Sequence, residues 1–135
     1  MPRYFTPEEA DALLPELRPL VESMVRHRQR LGTALERRDR LQALVGGNGG
    51  GLPPAELAEA NAAVEVERSA LERCVQEIND MGVQVKDLEL GLVDFPALRG
   101  SEEVLLCWRL GEDAVLFWHG LEEGFAGRKP LTLDG

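Results

Sequence analysis

Aromatic residues are scarce in this chain, with four Phe, two Trp and one Tyr among 135 residues. Most of any core must therefore be aliphatic, and the place of each Trp becomes informative. Cysteine is scarcer still: Cys74 and Cys107 stand alone, in regions of different periodicity, so free thiols in a reducing compartment are expected rather than a disulfide framework. Only His27 and His119 supply imidazole. The chain has no Cys-x-x-Cys, no His-Glu-x-x-His and no nucleophile elbow, which removes the common signatures of redox, zinc-protease and α/β-hydrolase chemistry. No apolar run approaches the roughly 18 residues that a membrane span needs. The N-terminal MPRYFTPEEADALL lacks the apolar centre of a signal peptide, so a cytoplasmic protein with no membrane partner is expected.

Positive charge is also short, at 15 Lys plus Arg against 24 Asp plus Glu, a formal charge of −9. That balance repels polyphosphate backbones at long range, and nucleic acid is not an expected partner. One stretch runs the other way: Arg26, Arg28, Arg30, Arg37, Arg38 and Arg40 crowd together against Glu36 and Asp39. The segment after the glycines carries Glu56, Glu59, Glu65, Glu67, Glu72, Glu77 and Asp80 against Arg68 and Arg73. The two are complementary in sign, and matching of the arginines within the chain is the expectation.

The size and 44% hydrophobic content fit one ordinary domain spanning 1–135. Thr6, Pro7 and Glu9 supply an N-cap, a first-turn proline and the acidic partner of a capping box, with Phe5 placed to staple onto the first turn. Pro15 removes a backbone donor inside that helix, so a break or kink is expected there, with Pro19 in the first turn or so of the restart. From Leu20 through Met24, His27, Leu31, Ala34, Arg38, Leu41 and Val45, spacings of three and four trace a packing seam. Gly46 to Pro54, with five glycines and two prolines, form a flexible loop that does not fit a phosphate-binding pattern. Leu57, Ala60, Val64, Glu67, Leu71, Cys74, Ile78 and Met81 repeat the seam. Residues 1–81 thus read as a long antiparallel helical hairpin, with Leu31 opposite Leu71, His27 near Cys74, and Ala34 near Glu67 with Arg38 a turn away. A hairpin so long leaves apolar edges uncovered, which points to a homodimer through the helices.

After Gly82 the period changes to two. Val83 and Val85, Leu92 to Phe95, Val104 to Leu110 and Ala114 to His119 predict a small antiparallel sheet over 82–135, with an ordered tail laid on it by Phe125 and Leu131. The fold class is therefore α+β. Both Trp, Cys107, His119 and three of the four Phe fall between Gly82 and Arg128.

The stretches FTPEEADALL, GVQVKDLELGLVDFPAL, LCWRLGED, FWH and GFAGR resemble an uncharacterised bacterial family catalogued as domain of unknown function number 2203, over essentially the whole chain. The resemblance implies no established activity and no catalytic residues to carry over. It implies at most a bound metal, and so directs attention to Asp87, Asp94, Cys107, His119, Glu122 and Glu123.

By residue type alone, Asp94, Cys107, His119, Glu122 and Glu123 offer the thiolate, imidazole and carboxylates that bind a divalent metal such as zinc or iron. Their spacing matches no known ligand pattern. Whether Cys107 and His119 converge depends on the turn between their strands: an odd loop puts them on one face. A two-residue turn at Gly111 and Glu112 pairs Leu110 with Asp113 and sends them to opposite faces, leaving a His and carboxylate site with Cys107 as a small buried hydrophobe. Trp108 and Trp118 read as core anchors, and Cys74 and His27 as buried seam residues. Arg128 and Lys129 either bind an anion or fix the tail to an acidic surface. Three functions follow from this reading. The leading one is a cytoplasmic binding or assembly module with one divalent metal on the sheet. The alternatives are a metal-free interaction protein docking a partner through its hairpin, and a small metal-dependent hydrolase.

Overall fold

The capping box forms as its residue types dictate. In the computed structural model, which describes residues 3–46 and 54–131, the Thr6 N–H donates to Glu9 Oε1 (2.9 Å) and the Glu9 N–H donates to Thr6 Oγ1 (3.1 Å). These bonds satisfy two donors that the first helical turn leaves without partners. Helix α1 then runs unbroken over Pro7–Gly46. The expected break at Pro15 is absent. Pro15 and Pro19 lie one turn apart on the exposed side, so the carbonyls left without donors face water. Leu14, Leu17, Val21 and Met24 hold the opposite side in the core.

Helix α2 spans Pro54–Asp80 and packs against α1; the glycine-rich connection of residues 47–53 lies outside the described residues. The seam is recognisable in the buried Met24, Leu31, Ala60, Val64, Leu71, Cys74 and Ile78. Its polar pairing differs from expectation, because His27 Nδ1 meets Glu67 Oε2 at 2.7 Å, while Arg38 pairs with its neighbour Asp39. Of the clustered arginines, Arg28 and Arg38 are matched by acids within the chain, though not by those of α2. Among the described residues none of the α1 arginines pairs with an acid of α2, and Arg28 reaches Glu89 beyond both helices.

Five strands follow, β1 (Gln84–Asp87), β2 (Leu92–Arg99), β3 (Glu102–Arg109), β4 (Phe117–Gly120) and β5 (Lys129–Pro130), in an antiparallel sheet whose spatial order is the chain order. The expected tail loop thus contributes a fifth, two-residue strand, held by the Leu131 N–H on the Leu116 carbonyl. Register sorts the side chains by face. Val93, Phe95 and Ala97 on β2 and Val104, Leu106 and Trp108 on β3 join Phe5, Leu14, Leu17, Met24 and Ile78 in one core between hairpin and sheet. Phe5, expected only to staple the first turn, packs edge-on against Phe95 with ring centroids 5.3 Å apart. The alternate residues Leu92, Asp94, Leu105, Cys107 and His119 point to the other face and are nevertheless buried.

Candidate metal centre

Three adjacent strands deliver this second face. Asp94 on β2 lies directly across from Cys107 on β3, and Leu105, two residues before Cys107, lies across from His119 on β4. A period of two then puts Asp94, Cys107 and His119 on one side of the sheet. This corrects the two-residue turn, which would have sent Cys107 and His119 apart. The connection runs from Leu110 to Leu116, an odd number of residues, and is held by both local and distant bonds. The Glu112 carbonyl accepts the Trp108 indole N–H (3.0 Å), the Glu112 carboxylate accepts the Arg109 N–H (2.7 Å), and the Val115 N–H donates to Asp11 Oδ1 (2.7 Å) on α1.

One donor atom from each of Asp94, Cys107 and His119 lies within 4.8 Å of the others, and all three residues are buried. His119 Nδ1 donates to the Gly120 carbonyl at 2.8 Å, since a carbonyl can only accept. In the neutral ring Nε2 then presents its lone pair to Asp94 Oδ2, 3.1 Å away. Two lone pairs at that distance require a proton or a cation between them. Asp94 Oδ1 is buried with no hydrogen-bond partner, a costly state for a carboxylate oxygen. Burial first, and the nearby Asp94 charge second, push the Cys107 thiol up to about 12. Without a cation, Cys107 is a protonated buried thiol rather than a nucleophile.

The donor set suits a borderline-soft divalent metal: one thiolate, one imidazole and one carboxylate. The observed Asp94 to His119 separation is close to the O···N edge of about 3.3 Å expected of tetrahedral zinc ligands. The His119 Nδ1–H bond to a backbone carbonyl is the kind of outer contact that fixes a ligating histidine. Of the other candidates, Glu122 is exposed and outside the cluster. Glu123 borders the site, but its Oε1 accepts the Lys129 ammonium (2.7 Å) and the Gly120 N–H (2.8 Å), and these contacts, Lys129 first, hold its carboxyl below the usual carboxylate range. Asp87 caps a turn, accepting the Glu89 and Leu90 N–H groups at 2.8 Å each.

A cavity of about 220 Å³ adjoins Asp94 and His119. Leu92 and Leu105 form its sheet wall, and Leu121 and Phe125 close it from the tail. Arg128 anchors that tail: its Nη2 donates to both Glu112 carboxylate oxygens (2.7 and 2.9 Å), and its guanidinium stacks on Phe117 and Phe125. Of the two readings of Arg128 and Lys129, the geometry thus matches fixing the tail to acidic partners. The cavity wall gave no signal in the sequence, because Leu92, Leu105, Leu121 and Phe125 look like ordinary core residues until register assigns them to the second face. Trp108 is a core anchor as expected, whereas Trp118 is only partly buried and lies under Arg99 and Lys129. Cys74 and Cys107 are both buried free thiols, and among the described residues no helix is long and apolar enough to cross a membrane.

No curated protein and no solved structure matches the chain. The model of the family described as uncharacterized conserved protein (DUF2203) matches residues 3–131, and the chain belongs to that family.

Proposed function

We propose that the protein is a binding module holding one divalent transition metal, zinc or iron, through Asp94, Cys107 and His119. The observation that carries this reading is the convergence of three buried donor atoms of suitable chemistry, from Asp94, Cys107 and His119. Without a cation, a single proton has to bridge Asp94 Oδ2 and His119 Nε2 inside the sheet, and Asp94 Oδ1 stays without a partner. A divalent cation supplies what Asp94 and His119 lack, and favours the Cys107 thiolate that burial otherwise opposes. Elemental mass spectrometry on untagged protein purified without chelators tests this. Near-stoichiometric metal is expected in the wild type and in a Cys74→Ser control, with loss in His119→Ala, Asp94→Asn and Cys107→Ser. Metal content unchanged by all three substitutions would sink the proposal.

A second reading rests on the hairpin. A groove of about 470 Å³ runs between the helices past Ala34, Ala63 and Val66, and Val66 is 64% exposed. Arg30 and Arg37 border it. Among the described residues, the α1 arginines and the acids Glu56, Glu59, Glu72 and Glu77 of α2 make no ion pairs with each other. A second copy that lays its α2 along α1 covers Val66 and brings those opposite charges together, giving a homodimer.

A further inference from the structure

The cavity beside the metal donors has its polar groups unequally engaged. Asp87 and Glu123, both on its wall, are committed to backbone N–H groups and to Lys129. Two groups remain. Asp94 lines the cavity, and its buried Oδ1 accepts no hydrogen bond. At the rim, Lys86 is exposed and makes no ion pair among the described residues. Between them the wall is apolar, made of Leu92, Leu105, Leu121 and Phe125.

We infer that this cavity binds a small hydroxy-carboxylic acid. Its hydroxyl lends a lone pair to the metal and donates its proton to Asp94 Oδ1, its short carbon body lies among the four apolar side chains, and its carboxylate faces Lys86. The inference rests on the metal reading, because three protein donors leave a tetrahedral ion one ligand short. Size and charge exclude the larger anions. At about 220 Å³ the space is below the roughly 300–1,000 Å³ that drug-sized ligands occupy. One ammonium group on a protein of net charge −9 is poor company for a polyphosphate.

The test uses the full chain loaded with Co²⁺, whose ligand-field and thiolate charge-transfer bands report the coordination sphere. A ladder of straight-chain hydroxy acids of increasing length is titrated in, with the matching alcohols and unsubstituted carboxylates as comparators. A saturable shift of the ligand-field bands is expected for the hydroxy acids, strongest at one chain length. Lys86→Ala, an exposed change that leaves the core untouched, should weaken it about tenfold, the worth of one charge-assisted hydrogen bond. Leu105→Trp, which fills the cavity, should abolish it while the charge-transfer band persists. Cobalt bound with its thiolate band, but indifferent to every hydroxy acid, would overturn the inference and leave the metal site standing. Alcohols binding as well as the hydroxy acids, with no effect of Lys86→Ala, would overturn the carboxylate assignment. Failure to bind cobalt at all would remove this inference together with the metal reading.

Discussion

Gly91 joins β1 to β2 at φ +68°, a conformation that side chains rarely adopt, and a Cβ built there would lie 2.9 Å from Leu110 Cβ and 3.0 Å from Val21 Cγ1. Gly100 has the same φ of +68° in the β2–β3 hairpin, yet a Cβ there meets nothing within 4 Å. The pair separates backbone strain from crowding. Gly100→Ala should cost about 1 kcal/mol, the left-handed penalty alone. Gly91→Ala should cost about 2–4 kcal/mol, because overpacking adds to the strain. Urea denaturation of both variants decides the point, and equal costs would show that the backbone yields around Gly91. The capping box offers a second measurement at this scale. The Thr6 backbone N–H first, then the Thr6 hydroxyl, hold the Glu9 carboxyl below the usual carboxylate range. A depressed folded value means that the contribution is present above that range and fades as the pH falls through the folded value. Thr6→Ala should lower stability by about 1 kcal/mol near neutral pH. Glu9→Gln should remove the part of the acid sensitivity that belongs to this box, and an unchanged acid limb in its pH–stability curve would refute the assignment.

Elements whose cause is local were legible in the sequence, and those whose cause is distant were not. Thr6, Pro7 and Glu9 predict where α1 begins because the bonds that start a helix are made three residues apart. The change of period after Gly82 marks the passage from helix to sheet for the same reason. Pro15 misled because a local penalty was outweighed by the packing of Leu14, Leu17 and Val21, which lies outside any local rule. The turn after β3 misled more seriously. Gly111 and Glu112 read as a hairpin turn, but Glu112 bonds to Arg128 and Val115 to Asp11 in a longer connection, whose odd length brings Cys107 to the side of His119. The candidate site was therefore visible as residue types and invisible as geometry. Glu122 and Glu123 had the right chemistry in the wrong place. This argument makes Arg128 the fastener of the tail over the cavity. Arg128→Lys keeps the charge but loses the two-pronged grip on Glu112 and the stacking on Phe117 and Phe125. About 2 kcal/mol of stability should go with them. Deuterium uptake should rise over residues 121–131 and stay unchanged along α1 and α2. Uptake that rises everywhere, or nowhere, would deny Arg128 this local role.

On the scale of the whole molecule, the hairpin covers one face of the sheet and the tail lies over the other, and exposed apolar side chains remain both at the sheet end and on the hairpin. Val66, Leu44 and Val45 are 64%, 59% and 45% exposed, and all three lie on the helices. Separation of charge by helix gives this surface a sense: α1 is arginine-rich where α2 is acidic, and among the described residues no α1 arginine pairs with an α2 acid. In the proposed homodimer each α1 lies between its own α2 and that of the second copy, so the arrangement is self-complementary only when both charge sets are native. Arg30, on the groove, and Glu59, one turn before Ala63, test this directly. Sedimentation should find the wild type as a dimer that weakens as salt screens the pairs. Arg30→Glu and Glu59→Arg should each cost about 1 kcal/mol of association, through repulsion at the rim of the interface. The decisive sample is an equimolar mixture of the two variants, or both changes in one chain. Opposite charges then face each other again with their places exchanged, and association should recover towards the wild-type value. A wild type that sediments as a monomer at its highest attainable concentration would end the dimer proposal. Two weakened variants with no recovery on mixing would show that Arg30 and Glu59 act on the hairpin itself rather than across an interface.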